Sequence, residues 1–89
     1  MIKNCVYILL CANNRYYTGS TEDLSNRLKE HTKGKVDATK NLLPVHLKFY
    51  QVFKDIKTAR SVEYQIKKKK SRKIIEQIIK DKYIKFVGR

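Results

Sequence analysis

The sequence predicts an α+β fold, an α/β sandwich in which a three-stranded antiparallel sheet is flanked by helices in the order β-β-α-β-α-α. Three observations carry this. The chain has 89 residues and 42% hydrophobic residues, which suits one compact domain with a thin core and leaves no room for a second. A continuously apolar stretch near the start is followed by a turn signal and a second β-rich stretch. Beyond them, helical periodicity, strict alternation and helical periodicity again succeed one another. The reading is a single domain over 1–89, with a core about 3–71 and a C-terminal helix about 71–83.

Residues 5–12 (CVYILLCA) are apolar apart from the tyrosine hydroxyl and stop at Asn13-Asn14, which suits a central strand buried on both faces. Asn13-Asn14 tolerates left-handed backbone and Arg15 to Gly19 has strand composition, so the two stretches form a hairpin. Ser20 is placed to cap a helix with Glu22 and Asp23 in its first turn, running to about Lys33 and stopped by Gly34. Lys35 to Val45 has no period and holds the only proline, Pro44, and reads as a loop. Leu47, Phe49, Gln51 and Phe53 alternate with Lys48, Tyr50 and Val52, as in a strand with one face in the core. Asp55 or Thr58 caps a helix with an Ala59, Val62, Ile66 stripe that ends where a basic block begins at Lys67. Ser71 caps a last helix, with Ile74, Ile75, Ile78 and Ile79 inward and Glu76 spaced to pair with Lys80.

Charge points to the partner. Lys plus Arg number 21 and Asp plus Glu 8, a formal net charge of +13, which attracts polyanions. Nucleic acid is the first candidate and an anionic membrane surface the second. No apolar run reaches the length of a membrane span and no secretory signal opens the chain, so a cytoplasmic protein is expected. Cys5 and Cys11, on one strand, would stand about 20 Å apart at roughly 3.3 Å per residue, too far for a disulfide. With His31 and His46 distant from each other, no zinc-ligand spacing exists.

Helical spacing selects the candidate site. Arg27 and His31 lie one turn apart beside the inward stripe of Leu24 and Leu28, where a guanidinium and an imidazole can hold a phosphate oxygen and handle a proton. The plainer alternative pairs Arg27 with Glu30 or Asp23 and leaves His31 to cap the helix. Glu63 takes a core-facing angle among Ala59, Val62 and Ile66. A buried carboxylate must stay protonated or find a cation, which a divalent metal, Arg27 or a lysine could supply. Tyr7, in the most apolar strand, needs a partner for its hydroxyl. Lys67 to Lys73 (KKKKSRK) holds six basic residues in seven, either a solvated face or a track for a phosphate backbone. Lysine dominance favours phosphate contact over base reading.

Taken together, these residues resemble the GIY-YIG nuclease family. Cys5-Val6-Tyr7 corresponds to its first motif, Tyr17-Thr18-Gly19 to its second, Arg27 and His31 to the arginine and histidine of the following helix, and Glu63 to the glutamate of a later one. Cys5 stands in place of the motif glycine and Thr18 in place of an isoleucine. The likeness covers roughly 3–71 and is greatest to small stand-alone bacterial members. It implies metal-dependent DNA endonuclease activity on structured or damaged DNA. In that reading Glu63 binds a single Mg²⁺ or Mn²⁺ and Arg27 stabilises the phosphorane. Tyr7 acts as general base or orients the attacking water with help from Tyr17 or His31, any one of the three being open as the group that takes the proton.

Lys35 and Lys40 in the loop, with Lys67, Lys68, Lys69, Lys70, Arg72 and Lys73, are the expected nucleic-acid contacts. DNA is the expected polyanion, with RNA the other, and a protein partner could supply targeting. The alternative function is a catalytically weak nucleic-acid-binding module using the same cleft. A shared site requires Tyr7 and Tyr17 on one sheet face, and side chains alternate faces along a strand. An even hairpin loop separates them and an odd one unites them. A three-residue or bulged loop is therefore expected, with Gly19 opposite Tyr7 leaving space for a phosphate. Tyr7, Tyr17, Arg27 and Glu63 should converge on that face, with His31 at the rim.

Overall fold

The computed structural model describes residues 1–85 of the chain. Strand β1 spans Cys5–Leu10, β2 Tyr16–Thr21 and β3 His46–Val52; helix α1 spans Leu24–Thr32, α2 Ile56–Lys69 and α3 Arg72–Asp81. The sheet is antiparallel in the order β2-β1-β3, so the most apolar strand is the central one. Its side chains divide between two cores. Cys5, Tyr7 and Leu9 pack with Leu24, and with the partly buried Leu28 and Tyr17, beneath α1. Val6 and Ile8 pack with Phe49, Ala59, Val62, Ile66, Ile78 and Ile84 beneath α2 and α3. Helices on both faces are what an uninterrupted apolar strand demands.

The hairpin has the odd loop. Cys11 N donates to Arg15 O at 2.8 Å and Asn14 N to Cys11 O at 2.9 Å, closing a turn over Ala12-Asn13-Asn14 with Asn14 at φ 67°. This is the three-residue hairpin in which the last loop residue is left-handed. Leu9 therefore faces Tyr17, and Tyr7 faces Gly19.

Several local expectations are corrected. Ser20 and Thr21 belong to β2, and the N-cap of α1 is Asp23, whose carboxylate accepts from Asn26 N at 3.2 Å. No acidic residue lies in that helix's first turn. The end of α1 follows expectation: Gly34 (φ +74°) gives its N–H to His31 O and Lys35 gives its own to Glu30 O, both at 3.0 Å, the paired closure of a helix with a left-handed glycine. In β3 the alternation breaks at Lys48, because Ile8 faces Phe49 while Leu9 faces Leu47. That bulge turns Leu47 away from the Phe49 side and leaves it 38% exposed. Asp55 caps α2 through Thr58 N at 2.7 Å. The helix continues through Lys67, Lys68 and Lys69, since Lys70 is its left-handed C-cap. Glu76 pairs with Arg72, at 3.1 Å, in place of Lys80. Ser71 caps α3 as expected. Ile84, which no periodicity singled out, is fully buried, and its N–H donates to Gln51 Oε1 at 3.0 Å.

Candidate active site

The site straddles edge strand β2. On the α1 side the Tyr7 ring crosses over Gly19, filling the space that a phosphate was expected to use. Its centroid lies 6.3 Å from that of Tyr17 and 5.6 Å from that of His31, and Tyr17 and His31 meet at 5.2 Å. The Tyr7 hydroxyl is 2.8 Å from His31 Nε2, and Arg27 Nε donates to it at 3.4 Å. Arg27 Nη1 also binds Glu30 Oε1 at 3.0 Å. The arginine thus makes the plain helical ion pair and the contact to the site at once.

His31 is not at the rim. It is fully buried, as is Tyr7, and its Nδ1 lies 2.7 Å from the hydroxyl of Thr39, itself only 1% exposed. Thr39 sits in the loop between α1 and β3, in a stretch where no sequence pattern distinguished it. Burial lowers the imidazole pKa below its ordinary value, and the Arg27 charge lowers it further against a smaller opposing pull from Glu30, so the ring is neutral near pH 7. Burial also pushes the Tyr7 phenol up to about 12, with the Arg27 hydrogen bond acting against it and the charges of Tyr17 and Glu63 adding to it. Hydrogen bonding to Tyr7 is the first cause that raises the Arg27 pKa. The guanidinium is a permanent cation.

Glu63 comes from the other side. It belongs to α2, whose stripe covers the Val6 and Ile8 face, and it accepts the hydroxyl of Ser20, the residue facing Val6 across the hairpin. Its side chain is 19% exposed and its cation is a lysine: Lys67 Nζ lies 2.6 Å from Oε2. The same ammonium sits 5.5 Å from the centroid of the Tyr17 ring, so Lys67 reaches around the strand edge and joins the two halves of the site. The expected convergence on one face is thus replaced by an arrangement around one edge, because α2 packs against the opposite side of the sheet.

Beside the site, Arg15, Tyr16, Tyr17, Lys67, Lys70 and Arg72 line an open concavity of about 750 Å³, in the size range of ligand sites. Arg72 lies over the Tyr16 ring at 4.6 Å and donates to Asn14 O at 2.7 Å. Arg15 and Tyr16 were not among the expected contacts. Lys68 and Lys69 line a separate concavity with Gln65. Lys35 and Lys40 are exposed in the Thr39 loop, Lys40 near Asp37 at 3.6 Å, and Lys73 is exposed on α3.

Among the described residues no three His, Cys, Asp or Glu side chains cluster as metal ligands. Cys5 and Cys11 are both free and buried. No described helix is long and apolar enough to cross a membrane.

The profile of the GIY-YIG catalytic domain matches residues 3–84. The chain belongs to the GIY-YIG family. Among the relatives of this GIY-YIG domain are UPF0213 proteins of Streptococcus pyogenes. That of serotype M5 (strain Manfredo) is 44% identical, and that of serotype M3 (strain ATCC BAA-595 / MGAS315) 42% identical, each over 71 residues that cover 79% of this chain and 77% of the relative. The solution NMR structure of the UPF0213 protein BH0048 from Bacillus halodurans is similar at a TM-score of 0.56 and 35% identity, covering 88% of this chain and 83% of that one. Membership in the GIY-YIG family suggests a nuclease with a nucleic-acid substrate.

Proposed function

We propose that the protein is a metal-dependent endonuclease that hydrolyses phosphodiester bonds in DNA. The observation that carries the reading is the Tyr7 hydroxyl, held between the permanent cation Arg27 and the neutral, buried His31. A phenol with a raised pKa is a poor base alone and needs an acceptor for its proton. His31 Nε2 is that acceptor.

Arg27 covers the Tyr7 hydroxyl, and its own side chain is 35% exposed. When the guanidinium turns onto a phosphate oxygen, the phenol is uncovered to the attacking water. The Tyr7 proton passes to His31, the water proton passes to Tyr7, and the hydroxide oxygen bonds to phosphorus as the bond to the leaving oxygen breaks. The leaving oxygen takes a proton from solvent, and after turnover Tyr7 releases its proton to solvent and regains one from the buried His31. Arg27 balances the charge that grows on the phosphate oxygens.

Glu63 would hold the metal. Its carboxylate already holds a cation, the Lys67 ammonium. One carboxylate completed by water and substrate phosphate is how Mg²⁺ is usually bound. When bound, Mg²⁺ or Mn²⁺ supplies charge stabilisation at the scissile phosphate and leaving oxygen. Arg15, Lys67, Lys70 and Arg72 in the concavity, with Lys35, Lys40, Lys68, Lys69 and Lys73, supply contacts to backbone phosphates. The protein's setting is the cytoplasm, on structured or damaged DNA.

A second reading is a nucleic-acid-binding module without turnover, which the occupation of Glu63 by Lys67 favours. Incubating the purified protein with branched, nicked and single-stranded DNA, with and without Mn²⁺, separates the two. Metal-dependent products that disappear in Tyr7→Phe, Arg27→Ala and Glu63→Gln support the enzyme. Binding with no products under any condition supports the module.

A further inference from the structure

The proposed reaction leaves open what decides which nitrogen of His31 is bare, and the loop between α1 and β3 answers it. Arg27 can only donate hydrogen bonds, so the Tyr7 oxygen accepts from Arg27. The phenolic proton then points to His31 Nε2, 2.8 Å away. On a neutral imidazole a bare Nε2 requires the proton on Nδ1. The group facing Nδ1, at 2.7 Å, is the Thr39 hydroxyl. We propose that Thr39 is the positioning residue for His31: by accepting the Nδ1 proton, its hydroxyl fixes the tautomer whose Nε2 takes the proton of Tyr7.

The hydroxyl is built into its place. Thr39 N donates to Val36 O at 3.0 Å and Thr39 O accepts from Leu42 N at 2.9 Å. Ala12 N donates to Leu42 O at 2.9 Å, tying the loop to the hairpin. Val36 is buried, and the glycine-closed end of α1 starts the loop only a few residues after His31. A buried hydroxyl is unfavourable beside a methyl of the same shape unless it is hydrogen-bonded, and among the described residues its side-chain partner is the imidazole. The other titratable or charged groups facing His31 are Tyr7 from β1, Tyr17 from β2, and Arg27 and Glu30 from its own helix. The buried imidazole starts neutral, which leaves a nitrogen free to accept. The role in turnover rests on the nuclease reading, whereas the tautomer does not.

The test joins ¹⁵N NMR of the His31 ring with cleavage kinetics in the wild type, Thr39→Val and Thr39→Ser. The wild-type ring is expected to carry its proton on Nδ1. In Thr39→Val, Nδ1 has lost its acceptor, so the Nε2-protonated form gains population. With it kcat falls about tenfold to a hundredfold, the range for hydrogen-bond partners that fix the tautomer of metal-bound imidazoles, at unchanged KM. The acid limb of the kcat profile also moves down in pH, since the imidazolium has lost a hydrogen bond. Thr39→Ser restores tautomer, rate and profile together. A wild-type ring protonated on Nε2, or a Thr39→Val ring with an unaltered tautomer, overturns the assignment whatever the cleavage data show. If Thr39→Val does not fold, the wild-type spectrum still decides, because an Nε2-protonated ring there is sufficient to overturn it. An Nδ1-protonated wild-type ring in a protein that cleaves no DNA overturns the nuclease reading and leaves the Thr39 assignment standing.

Discussion

The Tyr7 ring lies so close over Gly19 that a Cβ on that residue would fall 2.5 Å from the phenolic oxygen. This contact across the hairpin aims the hydroxyl at Arg27 and His31. Gly19→Ala should push the ring out of place, with a loss of about 1–3 kcal/mol typical of overpacking a core and a collapse of cleavage. The urea midpoint and the rate are the measurements. An alanine variant with native stability and rate would show that the contact is not needed.

Lys70 holds a left-handed conformation (φ 47°) at the C-cap of α2, where its side chain lines the basic concavity. Glycine adopts that backbone freely. Relief of left-handed strain, about 1–2 kcal/mol, exceeds the about 0.4–1 kcal/mol of unfolded-chain entropy that glycine adds, so Lys70→Gly should stabilise the fold while weakening nucleic-acid binding. The logarithmic salt slope should flatten by about 0.9 for the lost phosphate contact, and by about twice that with Arg15→Gln added. A destabilised Lys70→Gly, or an unchanged slope in the double variant, would contradict this picture.

In the proposed reaction Glu63 holds the metal, so Lys67 and a divalent cation would compete for the same carboxylate. Lys67→Met should tighten Mn²⁺ binding in the absence of DNA, as read from the free-Mn²⁺ signal in electron paramagnetic resonance. Glu63→Gln should abolish that binding. Because the pair is partly exposed, its loss should change stability by no more than about 1 kcal/mol. Weaker Mn²⁺ binding in Lys67→Met would remove Glu63 as the metal ligand.

The depressed pKa of His31 makes stability depend on acidity. Below about 6.5, the ordinary histidine value, the unfolded chain takes up a proton that the folded chain refuses. Stability should thus fall as the pH drops through that value towards the lower folded pKa, and the His31→Gln variant should lack this part of the slope. Tyr7 and Cys5, pushed by burial to about 12 and about 11, work on the alkaline side. Their contribution is complete below their unfolded values and is lost as pH rises through the folded ones. Thermal melts across pH give both limbs, and a His31→Gln profile that overlays the wild type would contradict the first.

The parts legible in the sequence are those governed by short-range rules. Strand alternation made the loop between Ala12 and Asn14 the determinant of whether Tyr7 and Tyr17 share a face, and the register of 7 with 19 and 9 with 17 follows that arithmetic. The inward stripes of α2 and α3, the cap Ser71, the cap of α2 as one of Asp55 and Thr58, and the closure of α1 at Gly34 are likewise local.

Tertiary structure decided the rest. A helical stripe says which side of a helix faces inward, but not which sheet face it covers. Glu63 was recognisable as inward-facing, and only the packing of α2 set it across edge strand β2 from Tyr7, against Ser20 and Lys67. His31 bordered the stripe of α1 in sequence, yet the loop that folds over it brings Thr39 to its Nδ1 and buries it completely. Lys48 breaks the alternation of β3 through a bulge that no residue type announces. By itself the sequence determined the order of elements and the chemical groups available, and it tied the hairpin parity to the demand that Tyr7 and Tyr17 share a face. Which groups meet was decided by the crossing of helices over the sheet, because those contacts join residues whose separation along the chain carries no period.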